Sequence, residues 1–300
     1  MREIPGTTKL NRMSIPGTHD TMTFYNDNLC AQHVACLTQN MTLRGQLEAG
    51  IRFIDLKIRQ YYADLSIFKI YRGSTDLNVN LRYVLNVLNQ FLSEYGTEVI
   101  ILSWSNITPP EHQAPRYLKE LWEEFDHLIY GIYGGATKYS TPTLDEVRGK
   151  VVLINYDKIP TPAYGNFGFY NFNEETNFNV DGPARQLIPQ ICNPECVCYT
   201  DIYLDNLKGN IVRAGGPMTR DQFYMTWVNY KDPNDVCREE MNDRFHSMLQ
   251  RRFTENRAYG TGIVIMDFPT RAHINNIVSY NLRGTITNFI YLYYNCLFFI

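Results

Sequence analysis

A histidine and an aspartate stand side by side at the end of Ser14-Ile15-Pro16-Gly17-Thr18-His19-Asp20. Proline presets φ and glycine accepts a positive one, so a Pro-Gly pair can hold the polar residues that follow in a rigid, unusual backbone. A histidine there titrates near neutrality and can take a proton from a substrate hydroxyl. Taken alone, His-Asp in a turn is also an ordinary surface feature. Lys57, Arg72, Asp201 and Asp267 add four more charged groups. Like His19 and Asp20, each falls at or just beyond the end of a predicted strand.

The elements that would carry these groups alternate between apolar, β-branched runs and helical patterns. Residues 52–59 and 66–72 read as strands separated by the turn-like Tyr62-Ala63-Asp64. Residues 77–95 place Leu81, Val84, Leu85, Val87, Leu88 and Leu92 on one face of a helix. A buried strand over 99–104, a helix over 111–130 and a strand over 151–156 follow. Residues 159–195 are rich in Asn, Pro and aromatics and lack a period. A strand over 197–201, mostly helix over 219–255 with a break near Pro233, a strand over 262–267 and a helix over 271–281 complete the pattern. This rhythm predicts an α/β chain, a (β/α) barrel in one domain. Catalytic groups of such barrels cluster at the C-terminal ends of the strands.

The 300 residues are 44% hydrophobic, enough for a large core, and carry a formal net charge of -3. That balance leaves no nucleic-acid footprint, so an anionic ligand must be met by local cations. No run reaches the length of a membrane-spanning helix, and the first residues lack the apolar core of a secretory signal. The expected compartment is cytoplasmic or nuclear. Seven cysteines are too few for a disulfide scaffold, and Cys192, Cys196 and Cys198 lack paired zinc-site spacing. Buried free thiols are the expectation, with the odd count leaving an intermolecular bridge open.

Ser14 to Asp20 resembles the opening signature of the X domain of phosphatidylinositol-specific phospholipase C, of the metal-independent bacterial type. Other pieces follow in that family's order: Gly50-Ile51-Arg52-Phe53-Ile54-Asp55-Leu56-Lys57, Tyr71-Arg72-Gly73, Glu98-Val99-Ile100-Ile101-Leu102-Ser103, Arg148-Gly149-Lys150-Val151-Val152-Leu153, Thr200-Asp201-Ile202-Tyr203 and Ile265-Met266-Asp267-Phe268-Pro269. The resemblance implies a distorted TIM-type barrel over residues 10–284. It implies a site in which His19 takes the proton from the inositol 2-hydroxyl, which attacks the phosphodiester to give a cyclic phosphate. Asp267 would orient and charge His19. Asp201 and Tyr203 would bind the head group, making a phosphoinositide or inositol phosphate the expected ligand, with no cofactor.

Three departures from the family pattern stand out. Lys57 occupies the slot of an arginine that forks against phosphate, keeping the charge but losing the planar geometry. Calcium-dependent relatives place a carboxylate there, so Lys57 argues against a metal. Arg72 occupies the slot of the histidine that protonates the leaving alkoxide. Arginine does not give up its proton at neutral pH, and loss of a general acid removes about 10²- to 10⁴-fold in rate. Asp20, which pairs with that histidine in the family, is expected to form a salt bridge with Arg72. Ser105 and Asn155 replace two further cations.

Residues 285–300 form an apolar, aromatic arm beyond the resemblance. It is expected to cover the barrel's own surface or a neighbouring molecule's, which would make a homo-oligomer. Two readings therefore stand: a phosphodiesterase of weak or no activity, and a retired barrel that serves as a binding or self-assembling protein.

Overall fold

The computed structural model describes residues 1–25, 37–106, 114–130, 141–155, short stretches between 207 and 214, 223–228, 237–254 and 260–282. The expected strand over 197–201 and the arm over 285–300 lie outside them.

Six strands run parallel: β1 (Ser14–Thr18), β2 (Phe53–Tyr61), β5 (Ile100–Asn106), β6 (Val151–Asn155), β7 (Met225–Trp227) and β8 (Gly262–Met266). Their order is β6-β5-β2-β1-β8-β7, and the sheet with its helices forms a distorted TIM-type α/β barrel. Every residue of β1 and β8 is buried, as parallel strands covered on both faces require. Alternation divides the side chains between two layers. Leu56, Leu102, Trp104 and Leu153 pack outward with Leu85 and Leu88, while Ile15, Phe53, Ile101, Val152, Ile263 and Ile265 share an inner cluster.

β1 is shorter than β2, and this shapes the rim. β1 pairs with β2 only at Phe53 and Ile54. The outer half of β2 is left to pair with β3 (Asp64–Arg72), which returns antiparallel with Lys57 opposite Tyr71. β4 (Thr75–Asn80) adds to β3. The charged end of β3 is thereby brought back beside the end of β1.

Helix α1 (Leu43–Ala49) starts on a Thr42 cap and stops at Gly50, whose φ of 111° is a left-handed terminator. Helix α2 (Leu81–Glu94) is capped by the Asn80 side chain, which accepts from the Tyr83 N–H. The helix expected from residue 77 therefore starts later: Leu77 and Val79 belong to β4, where two-residue alternation wins over the helical period. Helix α3 (Ala114–Glu124) is shorter than the expected span, and α4 (Leu144–Val147) is one turn. The mostly helical stretch expected over 219–255 holds β7 before α5 (Cys237–Thr254). Helix α6 (Arg271–Ser279) follows β8 on a Thr270 cap.

Gly262 opens β8 with φ of 67°, and a Cβ there would meet the Tyr224 carbonyl oxygen at 2.6 Å. Gly262→Ala is expected to cost roughly 2–4 kcal/mol from backbone strain and overpacking together. Urea unfolding would measure it; a loss below about 0.5 kcal/mol, typical of a tolerant surface position, would contradict this packing.

Candidate active site at the mouth of the barrel

The site is assembled where β1, β3 and β8 end beside the middle of β2, which carries Asp55 and Lys57. β1 approaches β2 closely at Gly17, where a Cβ would lie 2.9 Å from the Phe53 side chain. Past Thr18 the chain bends sharply. His19 N–H donates to the Met266 carbonyl at 3.1 Å, and Asp20 takes a positive φ of 42°. Such a backbone is uncommon outside glycine and needs surrounding bonds to hold it. Those bonds are present: Asp20 N–H donates to Asp55 Oδ2 at 3.2 Å, and Thr38 Oγ1 donates to the His19 carbonyl at 2.9 Å. The Gln39 amide clamps both strand ends, donating to the carbonyls of His19 at 2.9 Å and Met266 at 3.1 Å.

Asp267 follows β8 directly. Its successor Phe268 also has a positive φ, 48°, with its N–H on the Thr38 carbonyl at 2.7 Å. The Asn242 side-chain amide from α5 donates to the Asp267 carbonyl. Held in this way, Asp267 Oδ1 lies 2.9 Å from His19 Nδ1. A proton on Nδ1 directs Nε2 to act on a substrate, the orienting logic of a base–carboxylate pair. Trp227 from β7 sets its ring edge-on to the imidazole, with centroids 5.4 Å apart.

His19 Nε2 lies 3.4 Å from Asp20 Oδ2, and the same oxygen lies 3.3 Å from Arg72 Nε. Arg72 and Asp20 thus form the ion pair expected where the family pattern has His and Asp. Among the described residues, Asp20 Oδ1 and Arg72 Nη1 are buried without a hydrogen-bond partner. Lys57 Nζ sits 3.0 Å from Asp55 Oδ1. Three cations and three carboxylates therefore interleave at the mouth when His19 is protonated.

Burial opposes the charged imidazole, but the charges of Asp20 and Asp267, the bond to Asp267 and the charge of Asp55 outweigh it. The His19 pKa is raised to about 9. The charged form thus favours folding: this contribution is complete below the unfolded value near 6.5 and is lost as pH rises through about 9.

His19, Asp20 and Asp55 place one ligand atom each within 4.8 Å of one another. The donor set suits a divalent cation poorly, because the Lys57 ammonium already lies on the Asp55 carboxylate and His19 is protonated near neutrality.

The structure brings His19, Asp20, Lys57, Arg72 and Asp267 to one mouth, whereas Asp201 and Tyr203 lie outside the described residues. Sequence reasoning did not single out Asp55, Trp227, Gln39 or Asn242. Asp55 had a legible signal, a carboxylate inside an apolar strand, and it is 1% exposed. Asn242 and Gln39 carried none, since both act through backbone carbonyls distant in sequence.

Residues 13–156 match the family model for phosphatidylinositol-specific phospholipase C, X domain. The chain is 29% identical to a 1-phosphatidylinositol phosphodiesterase of Listeria monocytogenes over 289 residues, covering 94% of this chain and 84% of the relative. It is 27% identical to the protein of the same name from Staphylococcus aureus strain Newman, covering 89% and 87%. The solved structure of phosphatidylinositol-specific phospholipase C from Listeria monocytogenes superposes with a TM-score of 0.73 at 26% identity, covering 92% of this chain and 96% of that one. Among the described residues, no helix is long and apolar enough to cross a membrane.

Proposed function

Because this chain belongs to the phosphatidylinositol-specific phospholipase C X-domain family, we propose that it cleaves the phosphodiester of phosphatidylinositol, slowly, with a base but no general acid. The observation that carries this reading is the chain of contacts Asp267–His19–Asp20–Arg72. His19 Nε2 takes the proton of the inositol 2-hydroxyl while Asp267 holds Nδ1–H. The oxygen so activated attacks phosphorus, a cyclic phosphate forms, and the bond to the glycerol oxygen breaks. Lys57 and Arg72 supply positive charge for the phosphate oxygens. The departing alkoxide then requires a proton, and Arg72 does not release one near neutrality. Water must supply it, which makes leaving-group departure the slow event.

The raised His19 pKa gives this reading a pH signature. At pH 7 about one molecule in a hundred holds the neutral imidazole that acts as base, since the group titrates near 9. Cleavage of phosphatidylinositol in vesicles should rise about tenfold per pH unit from pH 6 and level off near 9. Release of inositol 1,2-cyclic phosphate, followed by phosphorus NMR, would test both product and profile. A rate that peaks near pH 6 and falls above it would rule out His19 as the base.

A further inference from the structure

The β2–β3 hairpin continues past the site, and its outer half is unlike the rest of the rim. Lys57 faces Tyr71 and Arg59 faces Lys69 across the pair. One face carries Ile58, Ile70 and Phe68, all buried at 2% exposure or less. By alternation the other carries Lys57, Arg59, Lys69 and Tyr71 with Tyr61 above them, and none of these is fully buried. Tyr61 lies four residues beyond Lys57, about 13 Å along the strand. The tip residue Tyr62 is 83% exposed and stands 5.2 Å from the Tyr61 ring.

The cations on this face differ in how they are held. Lys57 is paired with Asp55, and Lys69 with Asp76 at 2.6 Å while lying over the Tyr61 ring at 4.3 Å. Arg59 has no carboxylate partner among the described residues. Its guanidinium lies 4.3 Å over the Tyr71 ring, and its Nε is buried without a hydrogen bond to any described residue. A cation stacked on an aromatic and left unneutralised is ready for an external anion. An exposed tyrosine at the tip of the same hairpin suits the depth of lipid head groups, where amphipathic rings concentrate.

We propose that the outer half of this hairpin docks on an anionic lipid surface, with Arg59 seating the phosphate of a neighbouring lipid and Tyr62 entering the head-group layer. The proposal rests on the functional reading above only for the direction from which lipid arrives. The hairpin extends from the same end of the sheet as His19, so docking there would present the mouth to the bilayer.

The test is sedimentation of the full chain with vesicles free of phosphatidylinositol, so that turnover plays no part. Vesicles of phosphatidylcholine mixed with phosphatidylglycerol should bind the chain more tightly than phosphatidylcholine alone. Arg59→Gln should lower the partition onto the mixed vesicles about fivefold, the effect of removing one basic residue near an anionic surface, and should remove most of the salt dependence. Tyr62→Ser should lower it on both vesicle types. Tyr95→Ser, at a residue 47% exposed at the far end of α2, should leave it unchanged. If Arg59→Gln perturbs thermal unfolding, the exposed Tyr62 position carries the test. Binding unaltered by either hairpin change, or lowered equally by Tyr95→Ser, overturns the proposal. Hairpin-dependent binding by a chain that never cleaves phosphatidylinositol would sustain it and defeat only the catalytic reading.

Discussion

Arg72→Histidine is expected to raise the turnover of phosphatidylinositol by about 10²-fold or more. The residue stands at the end of β3 with its Nε 3.3 Å from Asp20 Oδ2. A histidine there would meet the same carboxylate and acquire a proton it can surrender near neutrality. The gain should appear in kcat, because the departing oxygen needs its proton only as the bond to phosphorus breaks. KM should change less, since one cation near the phosphate is exchanged for another at moderately acid pH. Adding Lys57→Arg should contribute a further gain through two-pronged contact with phosphate. A folded Arg72→His protein no faster than the parent would show that this position does not limit the reaction.

Asp267→Asn carries the largest expected loss. In a base–carboxylate pair the acid fixes the tautomer and stabilises the imidazolium, and its conversion to an amide costs about 10⁴-fold in a comparable triad. Measured in the Arg72→His background, where the rate is high enough to follow, the same change should reduce kcat by about 10³-fold or more. A second readout separates this role from a structural one. Asp267 is one of the charges that raise the His19 pKa to about 9, so its neutralisation should move the plateau of the rate profile to lower pH. A loss below tenfold with an unmoved profile would leave Asp267 a structural role only and remove it from the orientation of His19.

Much of this site was readable before the fold. His19 and Asp267 are 248 residues apart, yet each follows a short apolar run that ends in a turn, and parallel strands collect such ends at one mouth. The Arg72–Asp20 pair follows from charge: a half-buried arginine needs a carboxylate, and Asp20 lacks the histidine that the family pattern pairs with it. The unread parts have a common cause. β4 overlaps the span that reads as helix because Leu77 stands four residues before Leu81 and two before Val79, so both periods fit over so short a span. β7 is three residues long and exists through its parallel pairing with β8, which no local pattern announces. Gln39 and Asn242 act on backbone carbonyls brought near by tertiary folding, so their residue types alone disclosed nothing.

The leaving group offers the most direct test of the proposal that the site has a base and no acid. An inositol aryl phosphate releases a phenolate that departs without protonation, whereas phosphatidylinositol releases an alkoxide that cannot. The parent chain and Arg72→His should therefore cleave the aryl substrate at similar rates, while differing by about 10²-fold or more on phosphatidylinositol. A parent chain that lags equally on both substrates would contradict the account, because the defect would then lie in binding or in His19 and not in the missing proton donor.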